Sequence, residues 1–147
     1  MNKNKYNYSY ARHRSRMMAI QALYSWQITG TKNTSIASDF LNLIKFKKMN
    51  VDAEYFKKIF IGTSNKVYEI DHELLKYTLR NMRFIDQVER AILRLGVFEL
   101  LHVEISYKIV IDEAVELSKK FCSEKSYKFI NGVLDKMIFN RKKFEDL

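Results

Sequence analysis

The residues that could do chemistry in this chain are concentrated near its start, where the stretch ARHRSR carries three arginines and one histidine. Six cationic residues precede the first acidic residue, Asp39, and the formal net charge of the whole chain is +9. An arginine guanidinium is planar and permanently charged, so it suits phosphates and base faces. A coding bias toward lysine would also raise the charge, but it does not explain the arginines. The clustering therefore favours a nucleic acid partner over a merely solvated basic tail.

The titratable residues elsewhere form no pattern typical of catalysis. His13, His72 and His102 lie in three different segments, and none of them has a metal-ligand spacing. Asp112 and Glu116 are one helical turn apart, which is typical of a solvated helix face. The sequence also contains no glycine-rich phosphate loop. We therefore expect that the protein is not an enzyme and holds no metal.

The composition indicates a soluble protein of the cytoplasm. The single cysteine, Cys122, cannot form an internal disulfide, which favours a reducing compartment. The first residues contain no apolar stretch typical of a secretory signal. No window approaches the roughly 18 uninterrupted apolar residues of a membrane span. We expect cytoplasmic localisation and no membrane partner.

Helices must position these residues, because proline is absent and only four glycines occur in the chain. Apolar side chains recur with helical spacing along nearly the whole sequence, which predicts an all-α fold of about six to seven helices. The expected helices cover residues 14–28, 35–48, 53 to about 79, 85–102, 106–121 and 126–139. We expect one domain over residues 12–140. A flexible basic arm at 1–11 and a short tail at 141–147 are expected to flank it.

Single residues mark the ends and contacts of these helices. Gly30 is a natural stop for the first helix, and Asp52 is a natural N-cap for the third. The third helix is expected to run unbroken, although loosened near residues 62–64. Gly132, inside the last helix, predicts a close approach between helices. A first helix beginning at Arg14 would place the arginines at its N-terminal edge, where a nucleic acid phosphate would offset their unfavourable interaction with the helix dipole.

Two long stretches match, in order and spacing, the pattern of a known protein family. They are RHRSRMMAIQALYSW at 12–26 and DQVERAILRLGVFELLHVEISYKIVIDEAVELSKKFCSEKSYKFINGVLDKM at 86–137, with YFKKIFIGT at 55–63 as a weaker block. The chain thus resembles the NusB family of bacterial transcription antitermination factors. The resemblance implies an all-α fold of two packed helical bundles. It also implies pairing with ribosomal protein S10 (NusE) and binding of the single-stranded boxA element of nascent RNA.

The resemblance further implies that the assembly helps RNA polymerase to read through terminators, notably on ribosomal RNA operons, without a metal or small-molecule cofactor. Matched position by position, it implies these RNA-binding residues: Arg12, His13, Arg14, Arg16, Tyr24, Tyr77, Lys125 and Phe129. Glu89 and Tyr24 match positions that contact S10. His13 stands where an arginine is common. Lys125 stands where relatives can have an acidic residue, which would make the RNA face more positive here.

A further departure is ISYK at 105–108, where the family has VPYK; Ser106 can replace the proline as the start of the next helix. Some relatives self-associate, so a homodimer stays open. One alternative is a helical protein-interaction module that touches RNA only incidentally. Another is the N-terminal domain of a ribosomal RNA cytosine methyltransferase, which would need a long downstream cofactor-binding domain that this sequence lacks. A helix-turn-helix DNA-binding protein is disfavoured, because the positive charge is not gathered in one short recognition helix.

Overall fold

The computed structural model describes the backbone of residues 3–145 and the side chains of residues 8–143. The helices, in chain order, are α1 (Lys3–Thr29), α2 (Asn33–Phe46), α3 (Ala53–Asn65), α4 (Val67–Leu74), α5 (Gln87–His102), α6 (Tyr107–Phe121) and α7 (Glu124–Glu145). A short 3₁₀ turn, Met82–Phe84, precedes α5. No strand occurs in the described residues, and the all-α prediction is confirmed. The chain divides into two compact units, one ending at Asn65 and one beginning at Lys66.

The first unit consists of α1, α2 and α3, which pack on one another around an aromatic centre. The Phe56 and Phe60 rings of α3 are stacked with their centroids 5.9 Å apart. The Phe40 ring of α2 lies 5.7 Å from Phe56, centroid to centroid. Leu23 of α1 is fully buried, and burying a side chain of this size contributes about 1.5–3 kcal/mol. The apolar body of α1 is therefore anchored in the core of the first unit.

Two helix ends in the first unit are as predicted. Gly30 ends α1 with a φ of 68°, the left-handed conformation that glycine adopts without strain. Its N–H donates to the carbonyl of Trp26 at 3.0 Å. Asp52 caps α3, since its Oδ1 accepts a hydrogen bond from the Tyr55 N–H at 3.0 Å.

The second unit is built around α5, against which α4, α6 and α7 pack. Every residue from Ala91 to Leu100 is buried, as expected for a helix that is apolar nearly all round. Asp86 caps α5, because its Oδ2 accepts from the N–H of Val88 at 3.1 Å. Ser106 caps α6 as predicted, with its Oγ accepting from the N–H of Ile109 at 3.3 Å.

The close approach between helices occurs at Gly96 and not at Gly132, so the prediction for Gly132 is wrong. A Cβ placed on Gly96 would meet the Leu134 Cδ1 at 3.2 Å, whereas a Cβ on Gly132 would meet nothing within 4 Å. Glycine spacing alone cannot tell which side of a helix faces a neighbour. Gly96 therefore serves the packing of α5 on α7, and Gly132 has no such role.

The long helix predicted from residue 53 to about 79 is interrupted, and α3 and α4 are separate helices. Lys66 leaves the helical conformation with φ −105° and ψ 22°. Just before it, the Ser64 Oγ donates to the carbonyls of Phe60 and Ile61 at 2.9 and 3.1 Å. The Asn33 amide donates to Ser64 Oγ and Asn65 Oδ1, both at 2.9 Å. Such side-chain bonds compete with helix continuation, and a periodicity count cannot detect them.

The outermost helices are longer than predicted. Helix α1 begins at Lys3, so the described part of the expected arm at 1–11 continues this helix. Arg12 lies nine positions after Lys3, beyond the first turn in which the helix dipole acts, so the expected edge position of the arginines is wrong. Helix α7 runs to Glu145 and takes in most of the expected tail at 141–147. Flexibility of the arm in solution stays a prediction; Met1, Asn2, Asp146 and Leu147 lie outside the described residues.

Candidate nucleic-acid interface

Arg12, the first residue of the predicted arginine cluster, contacts two aromatic rings. Its Cζ lies 4.4 Å from the Tyr8 ring centroid and 4.1 Å from the Tyr55 ring centroid. Its Nε lies 3.8 Å from Asp52 Oδ2, too far for a hydrogen bond but close enough for charge attraction. Cation–π contacts of this kind contribute about 0.5–2 kcal/mol each. Arg12 therefore connects α1 to the start of α3, and its side chain keeps 27% exposure.

Backbone-directed bonds fix the same junction between α1 and α3. The Ser15 Oγ donates to the Asp52 carbonyl at 2.8 Å and to the Ala11 carbonyl at 2.9 Å. The Asp52 N–H donates to the Ala11 carbonyl at 3.4 Å. Ser15 is completely buried, so these bonds satisfy polar groups that would otherwise be costly to bury. The arginine-rich turns of α1 are thus held at a defined place beside α3.

Arg16 is placed differently from its neighbours, because only 3% of it is exposed. Its Nη2 donates to the Tyr55 hydroxyl at 3.3 Å, and its Cζ lies 5.3 Å from the centroid of the same ring. A guanidinium this deeply buried leaves little surface for a phosphate. The Arg16 guanidinium is thus held against Tyr55, and the RNA contact expected for Arg16 stays a prediction.

Three other predicted residues of α1 have side chains that are more accessible than that of Arg16: His13, Arg14 and Tyr24. Arg14 and His13 are half-buried, and the Arg14 Cζ lies 5.9 Å from the ring centroid of Tyr10, which is 45% exposed. Tyr24 is 43% exposed and follows His13 by eleven residues, close to three full helical turns. His13 and Tyr24 consequently lie on the same side of α1. Four of the predicted residues thus keep accessible surface on α1, whereas Arg16, one turn after Arg12, is buried against the same Tyr55 ring that Arg12 contacts.

In the second unit, three predicted residues, Glu89, Lys125 and Phe129, lie near one another on α5 and α7. Glu89 is only 9% exposed, and its Oε1 accepts from the Ser126 Oγ at 2.7 Å. Ser126 directly follows Lys125, which is exposed, and lies one turn before Phe129. A buried carboxylate in the first turn of a helix is favoured by the helix dipole. Glu89 is thereby held in a fixed orientation.

Arg80 joins this group, although the sequence did not point to it. Its Cζ lies 4.4 Å above the Phe129 ring centroid, and its Nη1 lies 3.9 Å from Glu89 Oε2. That carboxylate oxygen is buried and makes no hydrogen bond. Arg80 lies in a connection without helical periodicity, between α4 and α5, so no pattern could place it beside Phe129. The nearby sequence LRNMRF offered only a basic and aromatic composition as a signal.

Tyr77, the remaining predicted residue, is held through its hydroxyl. The Asn140 Nδ2 donates to the Tyr77 hydroxyl oxygen at 2.8 Å, and the tyrosine is half-buried. Asn140 is near the end of α7, beyond the predicted end of that helix, so the sequence could not indicate this partner. The bond leaves the Tyr77 ring fixed at the side of the second unit.

Cys122 adds evidence on the local electrostatics around Glu89. Burial raises the pKa of the Cys122 thiol to about 11, and the negative charges of Glu89 and Asp86 contribute to the increase. A thiol with a raised pKa is a poor nucleophile at neutral pH, because the thiolate is the reactive form. No group of acidic, histidine or cysteine side chains that could hold a metal occurs among the described residues. Within the same residues, no helix is long and apolar enough to span a membrane.

Fold and side chains together define a class: an all-α protein that displays arginines paired with aromatic rings. Arg12 with Tyr8 and Tyr55, and Arg80 with Phe129, are the two instances with the shortest distances. Cations beside stacking rings are the combination with which proteins bind single-stranded nucleic acid.

Comparisons with known proteins identify the family within that class. The model of the NusB family matches residues 13–139. The transcription antitermination protein NusB of Alcanivorax borkumensis is 43% identical over 128 residues, which are 86% of this chain and 84% of that protein. The Shewanella amazonensis NusB is 39% identical over 128 residues, covering 86% of this chain and 94% of that protein.

Solved structures agree with the sequence comparison. A structure of T. maritima NusB superposes with a TM-score of 0.78 at 27% identity, covering 91% of this chain and 96% of that one. A crystal structure of antitermination factors NusB and NusE in complex with double-stranded RNA contains a chain with a TM-score of 0.73 at 31% identity, covering 84% of this chain and 92% of that one. The chain belongs to the NusB family, as the sequence resemblance implied.

Proposed function

We propose that this protein is a transcription antitermination factor that pairs with ribosomal protein S10 (NusE) and binds single-stranded boxA RNA in nascent transcripts, notably those of ribosomal RNA operons. The observation that carries the proposal is the NusB family match across residues 13–139. A neighbour solved together with NusE and RNA supports both partners. In that neighbour the RNA is double-stranded; the preference for a single strand rests on the aromatic rings beside arginines, since unpaired bases can stack.

On the first unit, we assign RNA contact to Arg14, His13 and Tyr24, because their side chains remain accessible on α1. Arg12 contributes through the part of its guanidinium that stays exposed between the two tyrosines. Arg16 takes a positioning role, because its burial removes it from a phosphate. Arginine is suited to these tasks since one planar group can both stack and donate hydrogen bonds.

On the second unit, we assign RNA contact to Tyr77, Lys125 and Phe129. Lys125 is exposed and supplies a cation, while the two aromatic residues are half-buried with fixed surroundings. For S10 we assign Glu89 and Tyr24: the carboxylate of Glu89 is buried and its assignment rests on the family match alone, whereas Tyr24 presents an exposed ring with a polar tip. Tyrosine is a frequent residue at protein interfaces for this reason.

In this function the protein acts as an adaptor and not as an enzyme. Its contribution is to hold RNA and S10 together, and no step of that task requires a covalent change. The place of action is the cytoplasm, since the proposed RNA is still attached to the transcribing polymerase. No small-molecule cofactor is needed for the assembly.

The test is a binding measurement with a labelled boxA-like single-stranded RNA and a scrambled RNA of the same composition. Fluorescence anisotropy is recorded with the protein alone and with the protein plus cognate S10. We expect weak binding by the protein alone and tighter, sequence-dependent binding when S10 is present. Equal affinity for the scrambled RNA under both conditions would contradict the proposal and favour a helical interaction module that touches RNA only incidentally.

A further inference from the structure

One face of the Phe129 ring is covered, because the guanidinium of Arg80 lies over it. The Arg80 Cζ is 4.4 Å from the ring centroid, within stacking distance. Phe129 itself is half-buried, while the Arg80 side chain keeps 55% exposure. A nucleotide that approaches this face of the ring therefore meets the guanidinium first.

Arg80 makes one contact through its backbone and one through its guanidinium, besides the contact with the ring. Its backbone N–H donates to the Thr78 Oγ1 at 3.1 Å. At the other end, the Nη1 lies 3.9 Å from Glu89 Oε2, and Glu89 is fixed in turn by the 2.7 Å bond from Ser126 Oγ. The carboxylate orients the guanidinium without surrounding it, since only Nη1 is near and the distance exceeds that of a hydrogen bond.

A guanidinium stacked on one side by an aromatic ring still has an opposite planar face and in-plane N–H groups. RNA bases stack on arginine planes as well as on aromatic rings, and the positive charge adds attraction to the phosphates next to the base. We propose that Arg80 is an RNA-contacting residue, on which an unpaired base stacks with Phe129 as the support behind it and Glu89 as the group that orients it. The inference rests on the proposed RNA-binding function and specifies the chemistry of one of its contacts.

The stack makes a prediction that a simple cationic contact does not make. If Arg80 served only as a charge, a lysine at position 80 would replace it. If it served only as a cover over Phe129, its removal would expose the ring and strengthen binding. In the proposed arrangement both the planar shape and the ring beneath are required, because the base rests on a two-layer support.

The experiment compares Arg80→Ala, Arg80→Lys, Phe129→Ala and the double variant Arg80→Ala/Phe129→Ala with the unchanged protein. Arg83→Ala is the matched control, because Arg83 is exposed in the same connection and its loss removes the same charge. Affinity is measured by anisotropy with boxA-like RNA and with oligouridine. Circular dichroism melting verifies that each variant is folded.

We expect Arg80→Ala to weaken binding about tenfold relative to Arg83→Ala, as for the loss of one stacked base. Arg80→Lys should be nearly as weak as Arg80→Ala. In the Phe129→Ala background, Arg80→Ala should weaken binding by no more than about twofold beyond Arg83→Ala, since only the loss of charge remains once the supporting ring is gone and coupled residues are not additive. Equality with the Arg83 control, tighter binding by Arg80→Ala, full function of Arg80→Lys, or independent effects of the two residues would each overturn the inference.

The two RNAs separate this inference from the proposed function. Stacking tolerates any base, so the effect of Arg80→Ala should also appear with oligouridine. Should the unchanged protein fail to distinguish boxA from a scrambled sequence, the antitermination proposal fails while the oligouridine comparison still decides the role of Arg80. Should boxA be recognised with Arg80→Ala indistinguishable from Arg83→Ala, the stacking inference fails alone.

Discussion

At the scale of single residues, identical side chains in one short segment have different surroundings. Arg14 and Arg16 are both expected RNA contacts from the sequence, but Arg14 is half-buried whereas Arg16 is 3% exposed and donates to the Tyr55 hydroxyl. Their spacing of two residues puts them on different sides of α1. A motif that is recognised by residue type therefore contains both an accessible arginine and a buried one.

The two arginines are distinguished by a matched pair of alanine variants. Arg16→Ala should lower the free energy of unfolding by about 2 kcal/mol, because it leaves the Tyr55 hydroxyl without this partner and opens space in a buried site. Arg14→Ala should change it by less than about 1 kcal/mol while weakening RNA binding. Urea unfolding followed by circular dichroism gives the first quantity, and anisotropy gives the second. Loss of helicity in Arg14→Ala would mean that Arg14 is structural instead.

Cys122 offers a local probe of the charge on Glu89. With the thiol pKa raised to about 11, the thiolate fraction at pH 8 should be about a hundredfold below that of an ordinary cysteine, since each pH unit is a factor of ten. Alkylation by iodoacetamide should be correspondingly slow and should accelerate as the pH rises toward 11. Glu89→Gln removes one of the negative charges that raise the pKa, so alkylation should become faster at pH 8. Burial, the largest cause of the raised pKa, remains in this variant. The alkylation rate should therefore rise only part of the way to that of an ordinary cysteine.

The matched control for the Cys122 experiment is Glu116→Gln, which makes the same chemical change at an exposed position on α6. It should leave the alkylation rate unchanged, because Glu116 does not contribute to the raised pKa of Cys122. Equal rates for the unchanged protein and Glu89→Gln would contradict the contribution of Glu89 to the raised pKa of Cys122.

At the scale of helices, the sequence predicts most elements and misses their connections. Period-3.6 spacing identified α2 and the buried α5, because a helix that packs on a core must repeat its apolar positions. It missed the break at Lys66, since that break depends on Asn33 hydrogen bonds from another helix. It also placed the start of α1 too late, because the turns before Arg12 have no apolar stripe.

In the second unit, too, the sequence locates the candidate site residues that lie in helices and misses the one that lies in a connection. Family positions such as Glu89 and Phe129 could be located from the sequence, because they lie in conspicuous helical blocks. Arg80 could not, since it lies in an aperiodic connection and meets Phe129 only through the fold. Contacts between distant parts of a chain are a property of packing, which residue types along one segment do not encode.

Substitution of Gly132 tests directly whether α7 packs closely on a neighbouring helix at this position. Its Cβ position is empty of neighbours within 4 Å, and alanine is favoured over glycine within a helix by about 1 kcal/mol. Gly132→Ala should therefore raise the free energy of unfolding by up to about 1 kcal/mol. Gly96→Ala is the comparison, because its Cβ would lie 3.2 Å from Leu134 Cδ1. The gain in the free energy of unfolding should therefore be smaller than for Gly132→Ala, or become a loss. Chemical denaturation of both variants measures the difference, and destabilisation by Gly132→Ala would restore the close approach expected from the sequence.

At the scale of the whole molecule, the net charge of +9 favours association with a polyanion, and the salt dependence of the proposed RNA binding should follow from the accessible cations of the two units. Arg12, Arg14, Arg80 and Lys125 retain accessible side-chain surface, whereas Arg16 is buried. If these four groups neutralise about four phosphates, the single-strand slope predicts roughly fiftyfold weaker binding between 50 and 200 mM salt. Anisotropy titrations of boxA-like RNA across that range measure the slope.

Arg14→Ala should reduce the magnitude of this salt slope by about 0.7, the value for one phosphate contact, while Arg16→Ala, if folded, should leave the slope unchanged. An affinity that stays constant across this range would contradict the electrostatic contribution, and a much steeper slope would mean that cations other than these four also contact the RNA.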